Sequence, residues 1–350
     1  MSRVAVIIVT FNSARFLPAL CISLKSMQHP DGGVQFIFVD NASDDHSPEL
    51  ALEAMPDAIV VREKENKGFS AGVNAGIRHP LAQSAEFIAL LNPDTVVDVR
   101  WLIELVNAMD GHPQAASAQS LLLYMQDQEI VNSNGNEIHF LGFGYSRNNG
   151  VNKFQLLAPS FQLHSITYAS GAAALYRRRA LEEIGLFEED LFMYHDDLDV
   201  GWKFLLKGYQ NIFIPTSIVY HHYEFSRSIK KYYWMERNRL LLLLTHYKAG
   251  TFLMVLPALI VLEAGLTLFA LYRGFFSARL RAYLWIISHL QLVVQKHKIA
   301  QNLRKVTDKT ILQSFTGAIS DQEIHNPLVE YVMNPVFSAY LFLLKRLIWW

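Results

Sequence analysis

The stretch that decides the fold is VAVIIV at residues 4–9, which runs directly into TFNSARF at 10–16. A continuous apolar run rich in β-branched residues reads as a strand buried on both faces, as the strands of a parallel sheet are. Outward from it, the pattern predicts a helix over 14–27, a second buried strand over 36–39 and a helix opened by Ser47-Pro48-Glu49. There Ser can cap, Pro fits the first helical position, and Glu suits the positive end of the helix dipole. A strand over 59–62, a helix over 70–78 and a strand over 87–91 continue the alternation. Strands and helices alternating at this spacing predict an α/β, doubly wound, mostly parallel sheet flanked by helices. Ligands of such sheets collect at the carboxyl ends of the strands. Residues 10–12, 40–43 and 92–94 all fall there.

Beyond this half the spacing predicts a helix over 100–109, and hairpins and loops over the Asn- and Gly-rich 132–153. A strand over 169–176 and helices over 179–184 and 197–207 follow, the last ended by Gly208. Two strands, 211–214 and 217–220, flank Pro215. The expected division is a catalytic domain over 1–236, with a nucleotide-binding half at 1–99 and an acceptor half at 100–236, then a membrane-associating region over 237–350.

The net charge of −1 is unevenly spread. Between Arg237 and Lys309 there are eleven Lys or Arg against only Glu263 and Asp308, which leaves about −10 on the remainder. An acidic body with a basic, apolar tail suits anionic lipid as a partner, and no nucleic acid is expected. The single cysteine, Cys21, excludes an intramolecular disulfide and a cysteine zinc site. The apolar run near the N-terminus has the length of a strand, not of a secretory signal, so the body is expected at the cytoplasmic face of a membrane. Residues 251–272 carry one charge, Glu263, and are long enough to cross a bilayer. Basic residues on both flanks, with Pro257 and Gly265 inside, leave a single span and a monotopic dip both open. Glu263 at mid-depth requires a partner or a place at the interface. Residues 279–298 repeat apolar positions among basic ones, as an interfacial helix does.

Acidic clusters follow the strands. Asp40 can accept a hydrogen bond from the imide N–H of uracil or thymine, or can satisfy its own turn with Asn41 and Ser43. Asp94 of Asn92-Pro93-Asp94 can bind Mg²⁺ or Mn²⁺ between two phosphates, with Asn92 toward a ribose hydroxyl. Gly68, preceded by Lys67, allows a backbone to approach a nucleotide, and the segment is not GxGxxG, which speaks against a dinucleotide-dependent dehydrogenase. Asp196, Asp197 and Asp199 begin a helix, where one carboxylate can face an acceptor hydroxyl as base. His221 can complete a metal shell opposite Asp94, and Arg227 can hold a departing diphosphate.

VAVIIVTFN, FVDNASDD, ENKGFSAGVNAGI, LLNPD, ASGAAALYRRRALEEIGLFEEDLFMYHDDLDVGWK and IPTSIVYHHYEFSRS, in this order, resemble the inverting glycosyltransferase family 2 of the GT-A fold, in its rhamnosyltransferase-like branch. The resemblance implies a nucleotide-sugar donor, a divalent cation, and a glycan or polyprenyl-linked glycan acceptor in cell-surface polysaccharide assembly. It assigns Phe11, Asn12, Asp40, Lys67 and Gly68 to the nucleobase and ribose. It also assigns Asn92 and Asp94 to the DxD motif, Asp197 to the base with Asp196 beside it, and His221 to the metal. Asn92 departs from the usual first Asp, His195-Asp196-Asp197 from the usual Glu-Asp, and Lys203 from a frequent Arg. A nucleotidyltransferase would show a Gly-rich basic loop where TFNSARF stands, and a silent scaffold would have no use for a base.

Overall fold

The computed structural model describes residues 2–156, 163–223, 229–319 and 327–350. The chain forms two compact units. The first holds residues 1–136, 146–204 and 209–224; the second holds 137–145, 205–208 and 225–350.

The first unit is built on β1 (Val4–Thr10), β2 (Val34–Asp40), β3 (Ile59–Arg62) and β4 (Phe87–Leu91), all parallel, with β1 between β2 and β4 and with β3 on the edge. β1 is buried at every position. Its alternate residues serve two faces. Val4, Val6 and Ile8 join the core of Leu17, Leu20, Leu24, Phe38 and Trp101. Ile7 and Val9 meet the opposite layer, where glycines permit close approach: a Cβ on Gly72 would lie 2.8 Å from Val9 Cγ1, and one on Gly76 2.7 Å from Ile7 Cγ2. The helices of this half are α1 (Leu17–Ser26), α2 (Ser47–Ala54), α3 (Phe69–Arg78) and the single turn α4 (Pro80–Gln83). α1 begins later than the expected 14–27, with Pro18 in its first turn.

The sheet continues past β4 with mixed directions, in the order β4, β11 (Ala173–Arg177), β6 (Ala115–Tyr124), β12 (Gln210–His221) and β10 (His164–Ile166). β5 (Thr95–Val97) and β7 (Val131–Ser133) attach to β12 and β6. β6 (Ala115–Tyr124) lies inside this part, and the sequence pattern does not announce it. Its segment AASAQSLLLY is rich in small and polar residues, so propensity says little and pairing decides. The polar positions are buried and matched: Ser117 Oγ donates to Asn211 Oδ1 at 2.7 Å, Gln119 Nε2 to Ser133 Oγ at 3.0 Å and Trp101 Nε1 to Ser120 Oγ at 3.1 Å. β8 (Asn136–Ile138) and β9 (Gly144–Ser146) form a separate short hairpin, and β10 (His164–Ile166) is the edge strand. β11 (Ala173–Arg177) starts later than the expected 169–176 and runs antiparallel to β4 and β6. β12 (Gln210–His221) is one strand in place of the expected two. It absorbs Pro215, which has no N–H to offer, by a register shift between Ile214 and Ile218 against the parallel β6. Helices α5 (Trp101–Gly111), α6 (Lys153–Leu156), α7 (Arg178–Glu183) and α8 (Asp196–Lys207) complete this half.

The second unit is helical. α9 (Ile229–His246) packs against α11 (Phe276–Ser288) and α12 (Leu290–Leu303); α10 (Ala249–Arg273) packs against α11 and α14 (Asn334–Leu347), and α13 (Asp308–Gln313) against α14. The expected single helix over 279–298 is broken at His289. Gly274, with φ of 79°, ends α10 in the left-handed conformation that only glycine adopts freely. Glu263 of α10 has the partners that its place in an apolar helix demands. It accepts from Arg239 of α9 and from Arg279 and Tyr283 of α11, while Glu236 accepts from the same two arginines. Arg239 and Arg279 are 1% and 2% exposed.

Gly201, inside α8, supplies a test of the packing in the first unit. A Cβ there would lie 2.1 Å from Tyr168 Cβ and 2.9 Å from the Thr167 carbonyl oxygen, so backbone must move. Gly201→Ala should lose about 3 kcal/mol or more in urea unfolding. Gly111→Ala, at the end of α5 with nothing within 4 Å, is the control and should be neutral or slightly stabilising.

Candidate active site

The candidate residues gather at the carboxyl edge of the parallel strands. Asp40 ends β2 opposite Thr10, the last residue of β1. It is buried and accepts from Thr10 Oγ1 at 3.0 Å, from the Ser43 backbone N–H at 3.1 Å and from Ser43 Oγ. A carboxylate offers roughly four acceptor sites, so one remains, on Oδ2. Its own turn is thereby satisfied with one site over. Asn12, with φ of 51°, caps the neighbouring turn: its side-chain Oδ1 accepts from the Asp44 N–H at 2.8 Å, and its own N–H donates to Ser43 Oγ at 2.9 Å. Phe11 is 47% exposed at the strand end. Lys67 is exposed, with Nζ 3.4 Å from Glu63. Gly68 has φ of 90°, and a Cβ there would sit 2.2 Å from the Phe192 carbonyl oxygen. The chain at this point is glycine because another backbone crosses it, with Phe69 N–H donating to that same oxygen at 2.8 Å.

Asp94 and His221 are brought together by pairing. β5 runs antiparallel to the end of β12, with Thr95 opposite His221, and the His222 N–H donates to the Asp94 carbonyl at 2.8 Å. His221 Nε2 therefore lies 3.4 Å from Asp94 Oδ1. The other ring nitrogen, Nδ1, is 3.0 Å from Asn132 Oδ1. Donation to that oxygen fixes the tautomer of the neutral ring and leaves a lone pair on Nε2 facing the carboxylate. Asp94 Oδ1 is buried and has no hydrogen-bond partner. With the ring proton on Nδ1, two acceptors face one another, an arrangement that suits a cation, and the donor types, one carboxylate oxygen and one imidazole nitrogen, fit Mg²⁺ or Mn²⁺. Among the described residues no group of three or more His, Cys, Asp or Glu could hold a metal by itself. Asn132 is a partner that sequence reasoning does not isolate, since it lies in a stretch that reads only as loops.

Asp196 and Asp197 open α8, and they differ. Asp196 is 7% exposed; Asp197 is half-buried, accepting from the Leu198 N–H at 2.8 Å and from the Gly171 N–H at 3.4 Å. Burial, and then the charge of Asp197, lift the Asp196 carboxyl well above the usual carboxylate range. Burial also raises Asp197, by less, because the Gly171 and Leu198 N–H groups stabilise its anion. Asp199, one turn on, pairs with Lys203 at 2.7 Å. The approach to α8 is bent: Phe192, Tyr194 and His195 each have φ of 64°. Phe192 forms a γ-turn in which the Met193 N–H donates to the Leu191 carbonyl at 2.7 Å.

Hydrogen bonds join these parts. Asn41 Nδ2 donates to the Gly68 carbonyl at 2.9 Å, Gly68 abuts Phe192, Gly171 holds Asp197, and the Asn92 N–H donates to the Ala172 carbonyl at 3.0 Å. One edge thus carries Asp40, Gly68, Asn92, Asp94, Asp197 and His221. Arg227 lies outside the described residues. Thr10 and Gly171 are supporting partners whose small side chain or bare backbone carries little sequence signal; of the two residues suited to the Asp40 turn, Ser43 bonds Asp40 and Asn41 bonds Gly68 instead.

The profile of glycosyl transferase family 2 matches residues 5–185, just over half of the chain. An N-acetylglucosaminyl-diphospho-decaprenol L-rhamnosyltransferase of Mycobacterium tuberculosis is 25% identical over 235 residues, covering 62% of this chain and 75% of its own. Among solved structures, GalNAc-T7 with UDP, GalNAc and Mn²⁺ superposes with a TM-score of 0.60 at 16% identity, covering 83% of this chain and 58% of that one. A mannosyltransferase from Pyrobaculum calidifontis in complex with GDP-Man and Mn²⁺ gives a TM-score of 0.52 at 15% identity, covering 99% and 87%. The two structural likenesses carry the fold: a mixed, parallel-centred sheet flanked by helices.

The Asp196 carboxyl yields a sign-defined prediction. Its affinity for a proton is higher in the folded chain than in the unfolded one, so its contribution is full at low pH and is lost as pH rises through the raised value. Asp196→Asn should therefore melt higher than the parent at neutral and alkaline pH, with the gap closing toward the ordinary carboxylate range. A melting-temperature difference independent of pH would refute this.

Proposed function

The chain belongs to glycosyl transferase family 2, and we propose that it is a cation-assisted, inverting hexosyltransferase. In this reading it moves a sugar from a dTDP- or UDP-linked donor to a glycan, or to a glycan carried on a polyprenyl lipid, at the cytoplasmic face of a membrane. The observation that carries the reading is the orphaned Asp94 Oδ1 facing His221 Nε2 at 3.4 Å, on the edge that also carries Asp197. When bound, Mg²⁺ or Mn²⁺ held by Asp94 and His221 supplies positive charge to a leaving diphosphate.

The protein's own groups do the rest. Asp197 takes the proton of the acceptor hydroxyl, and its raised proton affinity brings it closer to the working pH that an efficient base needs. Asp196, deeper and more readily protonated, stays beside it as the acid form, while burial raises Asp197 itself. A single displacement inverts the anomeric centre and needs no protein nucleophile. On the donor side, the one open acceptor site of Asp40 suits the imide N–H of uracil or thymine. Phe11 and Asn12 border the base, Lys67 and Gly68 lie beside the nucleotide, Asn92 faces a ribose hydroxyl, and Arg227 joins the diphosphate. Rhamnose as the sugar and a diphosphate-linked lipid acceptor are favoured by the activity for which the mycobacterial relative is named; with Asp40 selecting uracil or thymine, dTDP-rhamnose is the donor to try first.

Nucleotide release from UDP-, dTDP- and GDP-sugars, with Mg²⁺ or Mn²⁺ or with chelator, in the presence of a membrane lipid extract, tests the assignment. One donor should give release that chelator abolishes and that Asp94→Ala reduces strongly. Asp197→Asn should lower kcat about 10²–10⁴-fold with donor binding retained. Unchanged turnover in Asp197→Asn would remove it as the base.

A further inference from the structure

α10 is the one helix among the described residues that is long and apolar enough to cross a membrane. Its surroundings in the second unit favour a different placement. Glu263 lies near the middle of Ala249–Arg273 and is tied to Arg239 of α9 and to Arg279 and Tyr283 of α11. With Glu236 this makes a buried group of two carboxylates and two guanidiniums, shared by three helices. A perpendicular crossing by α10 would carry all four charges, with the segments of α9 and α11 that hold them, to the middle of the hydrocarbon, where ionised side chains are strongly disfavoured.

The outward surface points the same way. Leu253, Ile260, Val261, Leu268 and Leu271 of α10 are each at least 56% exposed. The neighbouring helices continue this surface: Leu284 and Ile287 on α11 are 55% and 63% exposed, and Phe342 and Leu347 on α14 are 53% and 60%. An apolar surface spread over side-by-side helices exceeds what a soluble monomer leaves bare. The same unit exposes basic residues at Arg273, Arg281, Lys298, Lys305, Lys309 and Arg346, and Glu330 is the one exposed acid among the described residues from 249 on. An apolar cavity of about 160 Å³ opens among α9, α10 and α11, bordered by Leu240, Leu243, Phe252, Leu259, Ile286 and Ile287, and suits hydrocarbon better than water.

We propose that α10 does not span the bilayer but lies in its plane, as the central helix of a monotopic platform with α11 and α14, docked on anionic lipid. This deepens the membrane reading given above and rests on it. Its test needs no activity, so the two can fail separately.

The full chain with Cys21→Ala and one cysteine at position 253, 260 or 268 is spin-labelled, bound to vesicles of phosphatidylcholine and phosphatidylglycerol, and measured for immersion depth. Positions 253 and 268 are about 22 Å apart along a helix axis. An in-plane helix places all three labels at similar depth, about 5–10 Å below the headgroup boundary. A depth spread approaching about 22 Å, with position 260 near the bilayer centre, overturns the proposal in favour of a span; labels that all stay in water overturn it altogether. Leu268→Lys should weaken vesicle binding about tenfold or more at an unchanged melting temperature, and unchanged binding would equally refute the platform.

Discussion

The structure of the sheet-bearing unit depends on one pairing, Ala173 opposite Leu91. Because β11 runs against β4, its first residue lies beside the last residue of β4, so the chain just before it, Ser170 to Ala172, is held at the carboxyl edge. A parallel strand in the same place would deliver its far end there instead. This inversion produces the Asn92 bond to Ala172 and the Gly171 bond to Asp197. Two carboxylates more than a hundred positions apart, Asp94 and Asp197, are thereby connected through a run of backbone. β5 and β12 repeat the device with Thr95 opposite His221. Ladders thus place His221 and the Ser170–Ala172 backbone, and the turns that carry the acids are bonded to them.

Much of this is legible in the residues. VAVIIV, the apolar strands after it and the acidic groups at their ends define the parallel half, because burial on both faces leaves a continuous apolar signature. β6 escapes because its signature is absent: AASAQSLLLY is small and polar, and its buried serines and glutamine are matched only by partners distant in sequence, such as Asn211 and Ser133. Pro215 reads as a break between strands, whereas a register shift carries β12 across it. Asn132 cannot be singled out from its neighbours, since its role exists only once β12 has delivered His221 to it. Glu263 is the reverse case. An acid in so apolar a helix demands partners, and only the fold can say that they are Arg239 and Arg279.

The two units handle buried charge in opposite ways. In the helical unit Glu236 and Glu263 are balanced by two guanidiniums, and this charge-matched group of four pins three helices. In the sheet unit Asp196 and Asp197 sit side by side and are steadied by backbone N–H groups. That arrangement favours an uncharged or half-charged pair. Neutral clusters suit a scaffold; frustrated ones suit proton transfer.

Phe192, Tyr194 and His195 all adopt the positive φ that disfavours side chains. Glycine would hold the same path with less strain, as Gly68 does directly across from it. The chain has placed its freedom on one strand of that crossing and its bulk on the other. Substitution at the two sides should therefore be unequal: Gly68 admits nothing larger, whereas glycine at 192, 194 or 195 would ease the backbone but erase an aromatic or imidazole ring beside the acids. Directed evolution toward heat resistance would be drawn to those three codons, and selection for turnover would draw it back.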